Sequence, residues 1–214
     1  MRIRKKTNLL PRMARCAHVQ IKDPAALRGK WLETVRGYRR LWLEIGCGKG
    51  RFTAETAARN PDALLVAIEK APDAMVTGME RVCEQAIENV RFIDSDALAL
   101  PVIFGEGEVD RIYLNFCDPW PKNRDAKHRL IAPGFLALYE SILSPAGVLY
   151  FKTDNPPLFD YAVETLKQAG WTLSELTRDL HENGPAGVMT DYEAKFYEQG
   201  IKISRLAARK ALRG

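Results

Sequence analysis

Histidine and cysteine are scarce in this chain of 214 residues, which holds three of the first and four of the second. Cys16, Cys47, Cys83 and Cys117 are scattered without a Cys-x-x-Cys pair, and His18, His128 and His181 lie far apart in sequence. This spacing excludes a local zinc motif and a disulfide framework, fits a reducing cytoplasm, and leads us to expect no metal. Long apolar runs are also missing, since none approaches the roughly 20 residues a bilayer requires. No apolar stretch follows the basic start Met1-Arg2-Ile3-Arg4-Lys5-Lys6, so no signal peptide is expected. Internal repeats and low-complexity segments are absent as well.

Acidic residues are lacking at both ends. Residues 1–40 hold 12 Lys and Arg against 2 Asp and Glu, and residues 201–214 hold 5 against none. Residues 41–200 reverse the balance with 15 against 25, leaving a net charge of +5. Basic ends on an acidic body suit a polyanionic partner such as a nucleic acid; the competing reading is that charged termini simply keep the chain dissolved.

What is present is an ordinary globular composition, 46% hydrophobic and 28% charged, of a length for one domain with a sizeable core. Short apolar runs at 41–45, 64–68, 90–93, 109–115, 148–153 and 171–178 read as strands. Helical patterns at 52–59, 72–86, 134–143 and 157–169 alternate with them, and a further helix is expected within 24–36. Residues 192–204 are ambiguous between helix and strand, with a late strand preferred. Residues 180–191, which contain Asn183-Gly184-Pro185 and Gly187, read as a mobile loop. Apolar strands alternating with helices predict an α/β fold, a mostly parallel sheet covered on both faces.

Ligands bind such sheets at the carboxyl ends of the strands. Five acids fall there: Glu44, Glu69, Asp96, Asp118 and Asp154. The loop Glu44-Ile45-Gly46-Cys47-Gly48-Lys49-Gly50 is close to the dinucleotide pattern Gly-x-Gly-x-x-Gly, but its third glycine comes one residue early. Glycines let a ligand approach the backbone closely. A carboxylate just upstream suits a sulfonium or amino group better than a pyrophosphate. Glu69 lies 19 residues past Gly50, where an acid binds ribose hydroxyls in related folds. Asp96 would flank the adenine. The set resembles class I S-adenosylmethionine-dependent methyltransferases, with a nicotinamide-binding Rossmann enzyme as the competing reading.

The stretch Asn115-Phe-Cys-Asp118-Pro119-Trp120-Pro121-Lys122 sits where that class faces its transferable methyl. Two prolines stiffen a turn that carries a carboxylate and an aromatic face. A nucleobase can stack on Trp120, and Lys122, Arg124, Lys127 and Arg129 suit phosphates. The competing reading makes Trp120 core and the cations a solvated face. Cys117 raises covalent pyrimidine chemistry as a rival, against its being a small apolar filler.

These residues, together with Ile68-Glu69-Lys70, Phe151-Lys-Thr-Asp-Asn155 and Thr190-Asp-Tyr-Glu-Ala-Lys-Phe196, resemble the tRNA (guanine-N7)-methyltransferase family in its own order across most of 41–204. Cys117 departs from the family's usual proline, and Asn123 and Asp125 dilute the basic run. The resemblance implies a Rossmann-like class I methyltransferase fold with a seven-stranded sheet over residues 41–214, behind a basic N-terminal extension of residues 1–40. It implies methyl transfer from S-adenosylmethionine to N7 of guanosine in tRNA, at position 46 of the variable loop. An exocyclic amino group of another base or small molecule is the alternative acceptor, and a non-catalytic RNA-binding module the alternative of another class. By the same resemblance Glu44, Gly46, Gly48, Gly50, Glu69, Asp96 and Asp118 bind the cofactor, and Asp118 is also the catalytic position. Lys122, Asp154, Thr190, Asp191, Tyr192 and Glu193 then bind substrate, and Arg124, Lys127, His128 and Arg129 contact RNA. The expected setting is cytoplasmic, with tRNA as partner, no membrane, no obligatory protein partner, and a monomer or homodimer.

Overall fold

The computed structural model describes residues 8–211. The basic residues at 1–7 and Arg213 therefore lie outside the described residues. Helix α1 (Leu9–Arg15) and the single turn α2 (Trp31–Thr34) precede β1 (Arg40–Ile45), α3 (Arg51–Arg59), β2 (Ala63–Glu69), α4 (Pro72–Glu84) and β3 (Val90–Asp94). Then come α5 (Leu100–Ile103), β4 (Val109–Asn115), α6 (Pro133–Ile142), β5 (Leu143–Thr153), α7 (Pro156–Gln168), β6 (Thr172–Thr177), α8 (Asp191–Glu198) and β7 (Ser204–Arg209). The seven strands form one sheet in the order β3-β2-β1-β4-β5-β7-β6. The first five strands are mutually parallel, and β7 runs antiparallel to both of its neighbours.

Sequence dictates the position of each strand. The run Ala-Leu-Leu-Val-Ala-Ile of β2 is buried throughout, as a central parallel strand covered on both faces must be. Strand β6 is mostly exposed and sits at the edge. Its ladder slips between Ser174 and Thr177, around Glu175 at φ 51°, and a bulge of this kind blunts an edge against further pairing. The opposite edge, β3, is covered by chain: Gln20 pairs with Phe92, and the Ile21 N–H donates to the Phe92 carbonyl at 2.9 Å.

Two cores follow from strand alternation. Leu41, Leu43, Ile112, Leu149 and Phe151 face the larger core, which α6 and α7 close together with Trp31. Trp42, Leu65, Ala67, Phe92 and Tyr113 face the smaller core beneath α3 and α4. Trp31 is completely buried, stacks on Phe104 at 5.5 Å and donates its indole N–H to the Ile103 carbonyl. The stretch before residue 41 is thus built into the domain body at this point. Truncating a buried tryptophan of this kind costs about 3–5 kcal/mol.

Several expected elements differ. Residues 24–36 do not form one helix: Pro24–Leu27 is a 3-10 turn, and Gly29 at φ +75° separates it from α2. The preferred late strand across 192–204 is instead α8, with the strand moved to β7. Thr190 explains α8. Its hydroxyl accepts the Glu193 N–H at 3.0 Å, while the Glu193 carboxylate accepts the Thr190 N–H at 3.2 Å. This reciprocal cap is written in Thr-Asp-Tyr-Glu as a Thr-x-x-Glu pattern.

Candidate active site

The carboxyl ends of β1, β2 and β4, with the chain just after β3, enclose a cavity of about 310 Å³. Gly46, Glu69, Asp96, Asp118, Trp120 and His128 are among its lining residues. The volume falls at the low end of small-ligand sites.

The glycine loop is shaped by backbone need. Gly46 and Gly48 adopt φ of 78° and 56°, and a Cβ on either would meet nothing within 4 Å. The left-handed conformation and the open space beside it are what a ligand lying on backbone requires. Gly50 has another job: a Cβ there would stand 2.6 Å from the Cα of Gly78. It lets the start of α3 pack directly on α4.

Glu69 is fixed by two backbone donors, Gly48 N–H on one oxygen and Ala71 N–H on the other, both at 2.9 Å. Asp96 accepts the Leu98 N–H at 2.8 Å. Both carboxylates line the cavity with acceptor capacity remaining. Leu98, 68% exposed, supplies an apolar wall beside them.

Glu44 does not line the cavity. It is buried beneath the loop, where it accepts from the Thr53 hydroxyl at 2.6 Å and from the Asn115 amide at 3.2 Å. Burial pushes its carboxyl up to about 7, against the opposing pull of those two hydrogen bonds.

The loop after β4 carries two of the four non-glycine residues with positive φ among the described residues, Phe116 at 54° and Trp120 at 43°. Such conformations cost on the order of 1–3 kcal/mol each and persist only where surroundings enforce them. At Trp120 it is Arg129 that does the enforcing. Its guanidinium donates to the carbonyls of Pro119 and Trp120, both at 3.0 Å, and lies 4.4 Å over the Tyr161 ring. The expected RNA contact Arg129 is therefore occupied by the loop itself. Between the strained residues, Asp118 is exposed on the cavity wall. Trp120 is 37% exposed and rests on His128 at 5.3 Å. Cys117 also lines the cavity, and burial together with Asp118 pushes its thiol up to about 12. A thiol held protonated in this way is a poor nucleophile.

Lys122, Arg124 and Lys127 are exposed at and along the 3-10 turn Asn123–His128, with Arg124 3.9 Å from Asp125. Asp154 is exposed at the end of β5, while its neighbour Asn155 caps α7. Tyr192 is 58% exposed on α8, and a ring series from Tyr192 to Phe196 (6.5 Å) and Phe116 (6.0 Å) connects α8 to the cavity. Asp191 lies 3.4 Å from Arg81.

Glu193 is not brought to the cavity surface. It is completely buried and held by a cation and an imidazole: Lys152 Nζ at 2.6 Å on one oxygen and His181 Nε2 at 3.1 Å on the other. The Ala186 N–H donates to His181 Nδ1 at 3.2 Å, which assigns the ring proton to Nε2, facing Glu193. Lys152 also donates to the Val188 carbonyl at 3.0 Å, and burial lowers its pKa against the upward pull of Glu193. The segment expected to be a mobile loop is thus tied down at 180, 186, 188 and 190. Sequence reading passed over Lys152 and His181, because neither their spacing nor a motif joins them.

This strand order, with a glycine loop and acids at the strand ends, defines a Rossmann-like methyltransferase. The fold matches the solved 16S rRNA methyltransferase KamB with a TM-score of 0.65 at 18% identity, over 84% of this chain and 93% of that one. A variant 16S rRNA (adenine-N(1))-methyltransferase from Catenulisporales acidiphilia, solved with its cosubstrate SAM, matches with a TM-score of 0.60 at 15% identity, over 86% and 92%. A family model described as "Putative methyltransferase" spans residues 38–206. The tRNA (guanine-N(7)-)-methyltransferase of Lactococcus lactis subsp. cremoris (strain MG1363) is 39% identical over 98% of both chains. That of Geobacillus thermodenitrificans (strain NG80-2) is 42% identical over 97% of both. The chain belongs to the tRNA (guanine-N7)-methyltransferase family, and it is an enzyme of the methyltransferase class.

Proposed function

We propose that the protein transfers a methyl group from S-adenosylmethionine to N7 of guanosine in tRNA, at position 46 of the variable loop, and does so in the cytoplasm. The observation that carries this reading is the strained loop, which sets Asp118 beside an exposed Trp120 on the wall of a cavity of nucleoside dimensions. Full-length similarity to enzymes named for that reaction supports it.

The donor set fits the cofactor. Gly46 and Gly48 offer bare backbone, Glu69 has a carboxylate pre-aimed by two N–H groups, and Asp96 and Leu98 offer a polar edge beside an apolar wall. The cofactor, when bound, supplies an electrophilic methyl group. Guanine N7 carries a lone pair and no proton, so attack requires no base. Positive charge develops on the purine as the methyl arrives, and an exposed carboxylate nearby stabilises it. Asp118 acts here by orientation and electrostatics, with Asp154 available for the guanine N1–H and amino edge. Trp120 stacks on the base, an interaction worth roughly 1–3 kcal/mol. Cys117, held as a thiol, takes no covalent part.

The test uses unmodified tRNA transcript, labelled S-adenosylmethionine and purified protein, followed by nucleoside digestion and mass spectrometry. N7-methylguanosine is expected, lost when the variable-loop guanosine is replaced by adenosine. Methyl on an exocyclic amino group would move the chemistry to the alternative acceptor. Tight cofactor binding without methylation of any tRNA would overturn the reading.

A further inference from the structure

The helices of the sheet's second face, α3 and α4, pack on β2 and β3. Across β4, β5 and β7 no helix makes extensive contact on that face among the described residues. Phe52 of α3 reaches Tyr113, at 5.1 Å, and Lys152, and Val188 with Glu193 of α8 covers the face at the Lys152 end of β5. The remainder is finished by side chains of an unusual kind. Arg111 lies 4.2 Å over Trp42 and 5.8 Å from Tyr150, and Tyr150 stacks on Tyr113 at 5.3 Å. Arg40 also lies over Trp42, at 5.3 Å, and Arg205 flanks Tyr150 at 5.9 Å. Arg209 follows Ala208, the partner of Leu149, and so falls beside Val148 on the same face. A doubly wound sheet normally buries both faces. Here part of one face is left to arginines, three of which, Arg40, Arg111 and Arg205, lie on aromatic rings.

The charge on this face is unbalanced. Arg40 is paired with Asp62, and Arg205 with Glu175. Arg111 and Arg209 have no carboxylate partner among the described residues. Arg111 donates to the Tyr113 hydroxyl at 3.3 Å and Arg209 to the Ala146 carbonyl at 2.6 Å, so most of their five N–H groups remain available. This surplus sits within residues 41–211, the part of the chain that is acidic on average. A guanidinium resting on a ring loses little freedom when it binds, and its planar fork matches phosphate oxygens in pairs. A second copy of the same face would oppose arginine with arginine, and the chain's own N-terminal residues Arg2, Arg4, Lys5 and Lys6 carry the same sign. Complementarity therefore selects an anionic polymer. Arg111 is four residues below Asn115, which lines the cavity, a distance of roughly 13 Å along the strand. That separation suits a polynucleotide whose target base is in the cavity and whose backbone continues around the sheet.

We propose that the open face of β4, β5 and β7, centred on Arg111 and Arg209, is a docking surface for the phosphate backbone of the RNA substrate. The proposal rests on tRNA being that substrate. The test is tRNA affinity of the full chain against salt for wild type and the Arg111→Gln/Arg209→Gln double variant, with melting and cofactor binding as controls. The double variant is expected to bind about tenfold more weakly near 0.1 M salt, with the slope of log affinity against log salt smaller by about 2. The KM for tRNA should rise while kcat at saturating tRNA holds. An unchanged slope overturns the proposal, as does loss of a dimer in light scattering with tRNA affinity intact, which would assign the face to a second copy. A measurement on wild type guards against misfolding of the variant: a dicarbonyl reagent labels arginines with and without tRNA, read by mass spectrometry. Protection of Arg111 and Arg209 supports the surface, and equal labelling removes it. If wild type methylates no tRNA yet these arginines are protected by it, the surface stands and the catalytic reading falls.

Discussion

The acids at the strand ends and Glu193 of α8 look alike in sequence and differ in what the fold does with them. Glu69 and Asp96 use backbone N–H groups to fix their direction and keep the rest of their capacity on a cavity wall. Glu193 has little capacity left: Lys152 and the Thr190 N–H occupy one oxygen and His181 the other, and no part of it is exposed. The first arrangement leaves carboxylates ready for a ligand. The second ties the chain from 181 to 193 onto the end of β5. A buried charge of this kind rewards completeness, because each partner removed leaves another unpaired.

The sharpest way to break the contrast is therefore to remove Glu193. Glu193→Leu should cost about 3–5 kcal/mol in urea unfolding, and adding Lys152→Met should recover part of that loss. Additive losses would mean that the pair is not coupled. Asp118→Asn probes the open set. It should leave folding unchanged and lower kcat by about 100-fold in the tRNA methylation assay, the scale of one lost electrostatic contact. Wild-type turnover should stay flat with pH around neutrality, whereas a general base would impose a steep rise.

Glu44 is intermediate, buried like Glu193 but lacking a cationic partner at hydrogen-bond distance. Its carboxyl binds a proton more tightly folded, at about 7, than at its ordinary value of 4.5. The folded state then holds more protons between those values, so this residue's contribution to stability falls as pH rises from about 4.5 to 7 and is level above. Glu44→Gln removes the dependence. Relative to the variant, wild type should lose stability between pH 5 and pH 8 in denaturant titrations; a gain would reverse the sign we assign. The smallest effect is expected at the exposed cations: Lys127→Gln should weaken tRNA binding a few-fold and lower the salt slope by about 1.

Much of this was legible beforehand. The parallel strands were readable because apolar runs such as 64–68 have no other use in a chain of this composition, and the glycine loop because Gly46 and Gly48 need a backbone that other residues resist. The end of the chain was harder. The Thr-x-x-Glu pattern at 190–193 is a helix start, but the late strand expected across 192–204 took no account of it. The meeting of Lys152, His181 and Glu193 brings together residues up to 41 apart in sequence, and no local pattern records such a meeting. Arg129 read as one more cation for phosphate. Only the folded loop reveals two carbonyls waiting for it.

The backbone of Phe116 and Trp120 also bears on any effort to make this protein hardier. Glycine at either position would relieve a left-handed conformation that other side chains resist, so a screen scored on heat resistance alone would tend to favour it. At Phe116 the change would let the loop wander, so that Asp118 and the Trp120 ring spend less of their time in the arrangement that turnover uses; at Trp120 it would remove that ring outright. Selection for durability and selection for catalysis should therefore pull these two positions in opposite directions.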